Sequence, residues 1–258
     1  MTAEAAATPG PRRGGRTLWA LLLGAALALC FASFLALGIW QVQRLAWKQD
    51  LIARVSQRLA AAPAAPPGPA AWPSLSKSGD EYRRLALRGR FDHGRASLVQ
   101  ASTVLGGGYW VLTPLRVEPA DGSGAYWLLV NRGFVGAGQR ETYARPDGPQ
   151  VLEGLLRLSE PGGSLLQKNV PAAGRWYSRD VAAIAAARGL EGPVAPYFAD
   201  AWPEPADGAE QWPHPGLTVL QFSNNHRVYA LTWFALAAMV AGAAVYLLRE
   251  RRRPSPRP

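Results

Sequence analysis

The sequence is poor in the residues from which metal clusters and disulfides are built. Its 258 residues include one Cys and three His. A single Cys cannot form an internal disulfide or a cysteine-based zinc or iron–sulfur site. Charged residues are also scarce, at 18%, whereas hydrophobic residues make up 48%. This balance indicates that part of the apolar surface faces lipid and not a protein core.

Recognisable catalytic motifs are missing as well. The chain has no Gly-x-Ser-x-Gly elbow, no P-loop and no His-Glu-x-x-His. Gly133, Gly136 and Gly138 do not have the spacing of a dinucleotide-binding fingerprint. His93 lies beside Asp92 in a predicted turn, so an envelope hydrolase with an acid–base pair stays an alternative, although a solvated turn histidine is the simpler interpretation. The pattern therefore favours a protein that is not an enzyme.

The positive charge of the chain lies at its two ends. The formal net charge is +10, of which the basic tail 1–16 carries +2 and the basic tail 249–258 carries +4. Each tail adjoins a long uncharged run, as expected where basic residues flank membrane spans on the cytoplasmic side. Membrane lipid is therefore a predicted partner and nucleic acid is not, although a basic protein can bind either.

The first uncharged run is long enough to cross a membrane. Its apolar residues 18–40 exceed the roughly 20 that a helix needs to span the hydrocarbon layer, which predicts transmembrane helix 1 over 17–43. A cleaved signal peptide is the alternative, because Ala26-Leu27-Ala28 resembles a cleavage site. Cleavage there would leave the apolar residues 29–40 at a mature N-terminus, so the sequence favours an uncleaved anchor.

The second uncharged run covers residues 228–248 and predicts transmembrane helix 2 over 227–248. At 1.5 Å per residue it spans roughly 32 Å, close to the thickness of the bilayer core. With both basic tails in the cytoplasm, residues 44–226 lie on the outer side. We therefore expect a multi-pass protein of the cell inner membrane, with both termini cytoplasmic and the central domain periplasmic.

Small residues are frequent in both spans and could allow close helix packing. They recur every four positions in the first span, and an Ala-rich composition explains them equally well. The residues are Gly24, Ala28, Ala32 and Ala36 in the first span, with Ala237, Ala238, Ala241, Gly242 and Ala244 in the second.

The central domain shows the patterns of a β-rich fold. A helical extension is predicted over 44–61, followed by a Pro-rich linker over 62–73 that cannot hold a helix. A β-rich core is predicted over 80–192, then an irregular loop over 193–216. Short apolar runs predict strands at 82–91, 96–102, 109–117, 126–135 and 151–158, with a helix at 180–188 and a further strand at 217–222.

These patterns together predict the fold class. We expect a membrane α+β protein, in which two transmembrane helices bracket a mainly antiparallel β extracytoplasmic domain with one or two helices. Five strands imply an antiparallel sheet or a partial barrel.

His226 lies at the outer end of the second span, and Tyr229 and Trp233 follow it at helical spacing. An imidazole, a phenol and an indole therefore share one helix face at the membrane boundary. An aromatic belt with helix capping by Asn224 or Asn225 explains the same residues without a ligand. On the residues alone, this structural explanation is the favoured one.

Polar and aromatic residues also end the first span, at Trp40, Gln41 and Arg44. A helical hairpin places the outer ends of its helices at one depth, so these residues would face His226 across a polar-aromatic pocket. The imidazole of His226 could ligate a haem iron there, and Arg44 or Arg227 could pair with the propionates.

Seven blocks of residues occur in a characteristic order. They are 38–41 with Arg44 and Lys48; Tyr82 with 89–91; 108–115; 130–135; 154–157; Asn169 with Pro171, Trp176, Tyr177 and Asp180; and 224–226 with Tyr229, Ala230 and 232–234. In this order they resemble the surfeit locus protein 1 family of cytochrome c oxidase assembly factors. Phe134 and Arg227 depart from the family pattern, which usually has Trp and an apolar residue there.

The resemblance implies a non-enzymatic protein that assists haem A delivery or insertion into the catalytic subunit of cytochrome c oxidase. It implies transient binding of haem A, with His226 as the residue that matches the family's iron ligand. The implied partners are the oxidase catalytic subunit and, as a second candidate, haem A synthase. Trp40, Arg44, Asn131 and Arg132 match motif positions without an assigned role. A protein-only scaffold or chaperone that never binds haem is the alternative.

Overall fold

A computed structural model describes most of the chain as two units. The described residues are 13–119, 122, 124–164, 166–203, 212–217 and 225–252. Contacts divide the chain into Met1–Ile52 with Phe222–Pro258, and Ala53–Gln221. The first unit holds a helix pair and the second a β-barrel. The predicted strand at 217–222 and the predicted cap Asn224 lie outside the described residues, apart from Leu217.

Two long helices provide the candidate membrane spans. Helix α1 runs over Arg13–Ala60, and helix α4 over His226–Arg252. Leu18–Ala60 and His226–Glu250 are both long and apolar enough to cross a membrane, which supports a membrane protein. The first helix continues without a break through the predicted extension and ends just before Pro63, as the backbone preference ahead of a proline requires.

The two helices face each other along a seam with alternating steps of three and four residues. On α4 these steps are His226, Ala230, Trp233, Ala237, Val240, Ala244 and Leu247, and the neighbouring Phe234, Leu236 and Ala241 are half-buried as well. On α1 the corresponding face includes Leu27, Phe34, Gly38 and Gln41. This is the geometry of left-handed helix pairs.

The predicted packing stripe of small residues is wrong on α1, whereas Ala237, Ala241 and Ala244 of α4 do lie in the buried or half-buried part of that helix. Gly24, Ala28, Ala32 and Ala36 are all exposed, and a Cβ on Gly24 would meet nothing within 4 Å. A strict spacing of four advances about 40° around an α-helix at each step, so such a stripe rotates away from a straight partner.

The central unit is a barrel built from six strands. They are β1 Arg84–Phe91, β2 Ser97–Thr103, β3 Gly106–Val117, β4 Tyr126–Gly136, β5 Pro149–Leu158 and β6 Val194–Ala201. The sheet order is β1-β5-β6-β4-β3-β2, and a further pairing between β1 and β3 closes it. Only β4 and β6 pair in parallel. The predicted fold class is thus confirmed, with a closed barrel in place of an open sheet.

Alternating side chains fill the barrel. Leu85 and Leu87 of β1 point inward and are fully buried, whereas Ala86 and Arg88 between and beyond them are exposed. Closure depends on Gly89, because a Cβ there would lie 2.2 Å from the backbone oxygen of Arg116 across the β1–β3 pairing. A side chain at this position would push the closing strands apart.

The predicted irregular loop over 193–216 is wrong at Val194–Ala201, which form strand β6 between β4 and β5. Prolines suggested a loop, since proline cannot donate to a strand ladder. Pro196 lies where the register between β4 and β6 shifts. The regular hydrogen bonds between these two strands are already interrupted there, so the N–H that proline lacks is not needed.

The Pro-rich segment 62–73 also differs from its prediction. It contributes to a 3-10 helix, Pro69–Ser74, with proline in the first turn, where no N–H is needed. The segment is fastened to the barrel, because the hydroxyl of Tyr197 donates to the carbonyl of Pro67 at 2.9 Å. Trp72 packs edge-on against Tyr126 with ring centroids 5.6 Å apart.

Two short helices complete the barrel unit. Helix α2 is Lys77–Asp80, and helix α3 is Val181–Ala187. Asp180 caps the N-terminus of α3, since its carboxylate accepts from the N–H of Ala183 at 3.2 Å. Val181 and Ile184 of α3 are buried against Phe198 and the outer side of the sheet.

Candidate functional site

The two helices come close together just below the predicted site. A Cβ on Gly38 of α1 would lie 2.5 Å from the ring of Phe234 on α4, so a larger residue at this position would force that ring to move. One turn away, the rings of Phe34 and Trp233 stack with centroids 5.7 Å apart. These contacts fix how far each helix is rotated and hence which side chains meet at the next turn.

His226 meets Gln41 at that next turn. The Nδ1 atom of His226 and the Oε1 atom of Gln41 are 2.7 Å apart. Gln41 is only 8% exposed, and His226 is half-buried at the first position of α4. A polar pair of this kind inside an apolar helix seam is stable because each group satisfies the other.

The hydrogen bond determines which nitrogen of His226 is available. An amide oxygen can only accept, so with this amide orientation Nδ1 carries the proton and Nε2 keeps its lone pair. Histidines that bind metals usually donate their second ring N–H to an oxygen in this way, which fixes the tautomer and the ring orientation. The pair therefore presents Nε2 as a ligand atom.

The other predicted site residues are placed less closely together. Trp40 is 53% exposed and Tyr229 is 54% exposed. Arg44 lies over the ring of Trp47 at 4.0 Å. Within the described residues, no hydrogen bond or ring contact joins these three side chains to His226. They offer exposed aromatic and cationic surface near the imidazole, whereas Trp233 packs into the helix pair.

Sequence reasoning missed two residues that shape the site, Gly38 and Phe34. Gly38 is part of the Gly-Ile-Trp-Gln block and follows Phe34 by four residues. That spacing places the two residues on the same face of a helix, which was the one available indication that they act together. Neither carries a polar group, so neither suggests chemistry in a sequence.

A second cluster of motif residues lies in the barrel and is structural in character. The amide of Asn131 donates to Asp200 Oδ1 at 2.8 Å, while its own oxygen accepts from the N–H of Gly133 at 3.2 Å. Asp200 also pairs with Arg157 at 3.1 Å and Arg179 at 3.3 Å. The Asn-Arg-Gly block therefore ties β4 to β5 and β6 and to the segment before α3.

Electrostatics agree with this structural role. Burial alone would raise the pKa of Glu160, but its hydrogen bond and ion pair with Arg179 and the charge of Arg157 hold it below its ordinary value. Burial alone would lower the pKa of Arg179, but Asp200 and Glu160 raise it. Both groups thus remain charged as partners.

Replacing Gly38 with Leu is expected to separate the helices at the site. The added side chain overlaps Phe234, and overpacking of this kind costs about 1–3 kcal/mol. We would replace Cys30 with Ser, introduce Cys at positions 41 and 226, and measure disulfide formation under mild oxidation. Gly38→Leu should lower the yield about fivefold or more.

Gly24→Leu is the matched control, because it adds the same side chain to the same helix where nothing lies within 4 Å. Its yield should equal that of the parent. Equal yields for Gly38→Leu and the parent would show that the close approach at Gly38 does not hold the helices together.

Comparisons with known proteins cover the part of the chain that contains the seven blocks. The model of the SURF1 family matches residues 28–238. A "SURF1-like protein" of Monosiga brevicollis is 31% identical over 281 residues, covering 100% of this chain and 99% of that protein. A "SURF1-like protein" of Drosophila melanogaster is 34% identical and is covered over 74% of its length. The human "Surfeit locus protein 1" is 32% identical over 241 residues, or 85% of this chain and 73% of that protein.

Proposed function

The chain belongs to the SURF1 family, and from that premise we propose that it is a cytochrome c oxidase assembly factor that assists haem A delivery or insertion into the catalytic subunit. In this proposal it performs no chemistry of its own. It holds the cofactor transiently at the outer end of its two spans, close to where the oxidase subunit receives it. Haem A synthase is the candidate donor.

The observation that carries the proposal is the pair of His226 and Gln41. The imidazole is oriented by a hydrogen bond of 2.7 Å on Nδ1, which leaves the Nε2 lone pair free to ligate a metal. His226 would hold the iron of a haem through this nitrogen, and the ring system would need apolar surface beside it. The exposed faces of Trp40 and Tyr229 supply that surface, and Arg44 supplies a cation for a propionate.

Partial exposure of the site suits delivery. A storage site would enclose its cofactor, whereas a donor must release it to another protein. His226 is half-buried, and both Trp40 and Tyr229 are more than half exposed. One face of a bound ring system would thus stay accessible to the recipient.

The proposed placement follows from the charges. Basic residues flank both spans at the chain ends, so both termini are placed in the cytoplasm of a bacterial cell and the barrel in the periplasm. His226 then lies at the periplasmic boundary of the inner membrane.

The function is tested in cells in which a variant replaces the native protein, by purifying the oxidase from them. His226→Ala should lower the haem a content per oxidase to the level of cells without the protein, measured by reduced-minus-oxidised absorbance. His214→Ala, which removes a histidine from the barrel, should leave it unchanged.

The alternative function, a protein-only scaffold, gives another result. In that case His226→Ala would support wild-type haem a content, and the protein would co-purify with the catalytic subunit without any porphyrin. That pair of results would replace the haem proposal.

A further inference from the structure

Three arginines lie side by side on the outer surface of the barrel where it closes. Arg88 and Arg90 project outward from β1, and Arg90 is directly opposite Arg116 of β3. Within the described residues, none of the three has a carboxylate within ion-pair distance. Like charges opposite each other on neighbouring strands destabilise a sheet, so this arrangement is unfavourable for the isolated barrel.

The arginines line a cleft of about 730 Å³, which we call the arginine cleft. The aromatic side chains of Phe91, His93 and Trp127 also line it, together with three carboxylates. The guanidinium of Arg116 lies 5.1 Å from the ring of Trp127, which holds it in place by a cation–π contact. Arginine and tryptophan are the residues most enriched at the energetic centres of protein interfaces.

Buried nitrogens without partners adjoin the cleft at Phe91. The guanidinium of Arg132 lies 5.3 Å from that ring, and its Nη1 atom is buried without a hydrogen-bond partner. The ring of His93 is 5.6 Å from the same phenyl ring, and its Nδ1 atom is likewise buried and unpartnered. An unsatisfied buried polar atom is costly and calls for an explanation. An anionic group bound at this end of the cleft would supply an acceptor for the Nη1 donor of Arg132. In contrast, Nδ1 of His93 calls for a donor, because Nε2 of that ring donates to the carbonyl oxygen of Pro146 at 3.0 Å.

We propose that the arginine cleft binds an acidic segment of a partner protein. This inference concerns the barrel and does not depend on haem binding at His226. The cleft is too large for a single small anion and is open to solvent, so it can accept successive side chains of a polypeptide.

The charges at its rim favour a protein over an anionic membrane surface. Of the three carboxylates that line the cleft, that of Asp92 is already paired with Arg95 at 3.4 Å. This leaves Glu118 and Asp147 opposite the three arginines. A uniformly negative lipid surface would be repelled by these carboxylates, whereas a polypeptide can place basic or neutral residues opposite them. Mixed charge of this kind specifies register in protein interfaces.

Photocrosslinking in the native membrane tests the proposal. In the full chain, p-benzoylphenylalanine replaces Asp147, so that the probe lines the cleft while all three arginines stay intact. Mass spectrometry then maps the crosslinked peptides. We expect a protein segment with at least two carboxylates. The double variant Arg90→Glu, Arg116→Glu should lower the crosslinking yield about tenfold, and changing the mapped carboxylates to Lys should restore it.

Arg175→Glu is the matched control, because Arg175 is exposed on the same barrel and does not line the cleft. It should retain the parent yield, and thermal unfolding should show that the double variant is folded. The proposal is overturned if the mapped segment has no carboxylates, or if no crosslink forms at all. It is also overturned if the crosslinks are to lipid and phosphatidylglycerol vesicles compete them away, or if Arg175→Glu lowers the crosslinking yield as much as the double variant does.

Discussion

Replacing Asp200 with Ala is expected to lower the free energy of unfolding of the barrel by about 3–5 kcal/mol. The side chain is only 3% exposed and accepts from Asn131 at 2.8 Å, Arg157 at 3.1 Å and Arg179 at 3.3 Å. Removing one carboxylate leaves two largely buried guanidinium groups with less negative charge around them. Breaking a buried ion pair from one side costs far more than the pair contributes when intact.

The Asp200 prediction can be separated from a general effect of losing a carboxylate. Asp147→Ala removes an exposed carboxylate from the same unit and should change the free energy by less than about 0.5 kcal/mol. Urea unfolding of the full chain in detergent, followed by tryptophan fluorescence, compares the two variants. If Asp200→Ala and Asp147→Ala unfold at the same urea concentration, the ion-pair network does not stabilise the barrel.

Strands that form short apolar runs between turn residues could be predicted from the sequence, because the composition of such a run is a local property. Five of the six strands were recognised in this way. Strand β6 was not, since Pro196 and the neighbouring prolines resemble a loop. Its place in the sheet depends on a register shift opposite β4, and no local pattern shows such a shift.

The helix hairpin could be predicted, but its contacts could not. Uncharged runs and basic flanks place His226 and Gln41 at the same end of the two spans. The rotation of each helix is set by tertiary packing, here by the approach of Gly38 to Phe234. A four-residue repeat of small residues was therefore misleading, because the observed seam alternates steps of three and four residues.

The arginine cleft could not be predicted from the sequence either. Arg90 and Arg116 are 26 positions apart and become neighbours only because β1 pairs with β3 to close the barrel. An open sheet of the same strands would leave them apart. Barrel closure is thus the feature that gathers positive charge from two strands into one surface.

In the proposed function, His226→Ala is expected to abolish haem ligation by the protein. The imidazole is the one histidine in the described helix pair, and Gln41 holds its ring so that Nε2 faces outward from the bond. Alanine leaves nothing to replace that nitrogen. Gln41→Leu should weaken haem binding without abolishing it, since the imidazole remains but loses the oxygen that orients it. Removing the hydrogen-bond partner of a metal-ligating histidine typically lowers metal affinity about 10–100-fold.

The most direct measurement is the Soret absorbance of detergent-purified protein from cells that make haem A, at equal protein concentration for the native chain and its variants. The native chain should carry a haem A spectrum, His226→Ala should lack it, and His214→Ala should match the native chain. A Soret band of unchanged intensity and position in His226→Ala would show that His226 is not the ligand and would contradict the account at its centre.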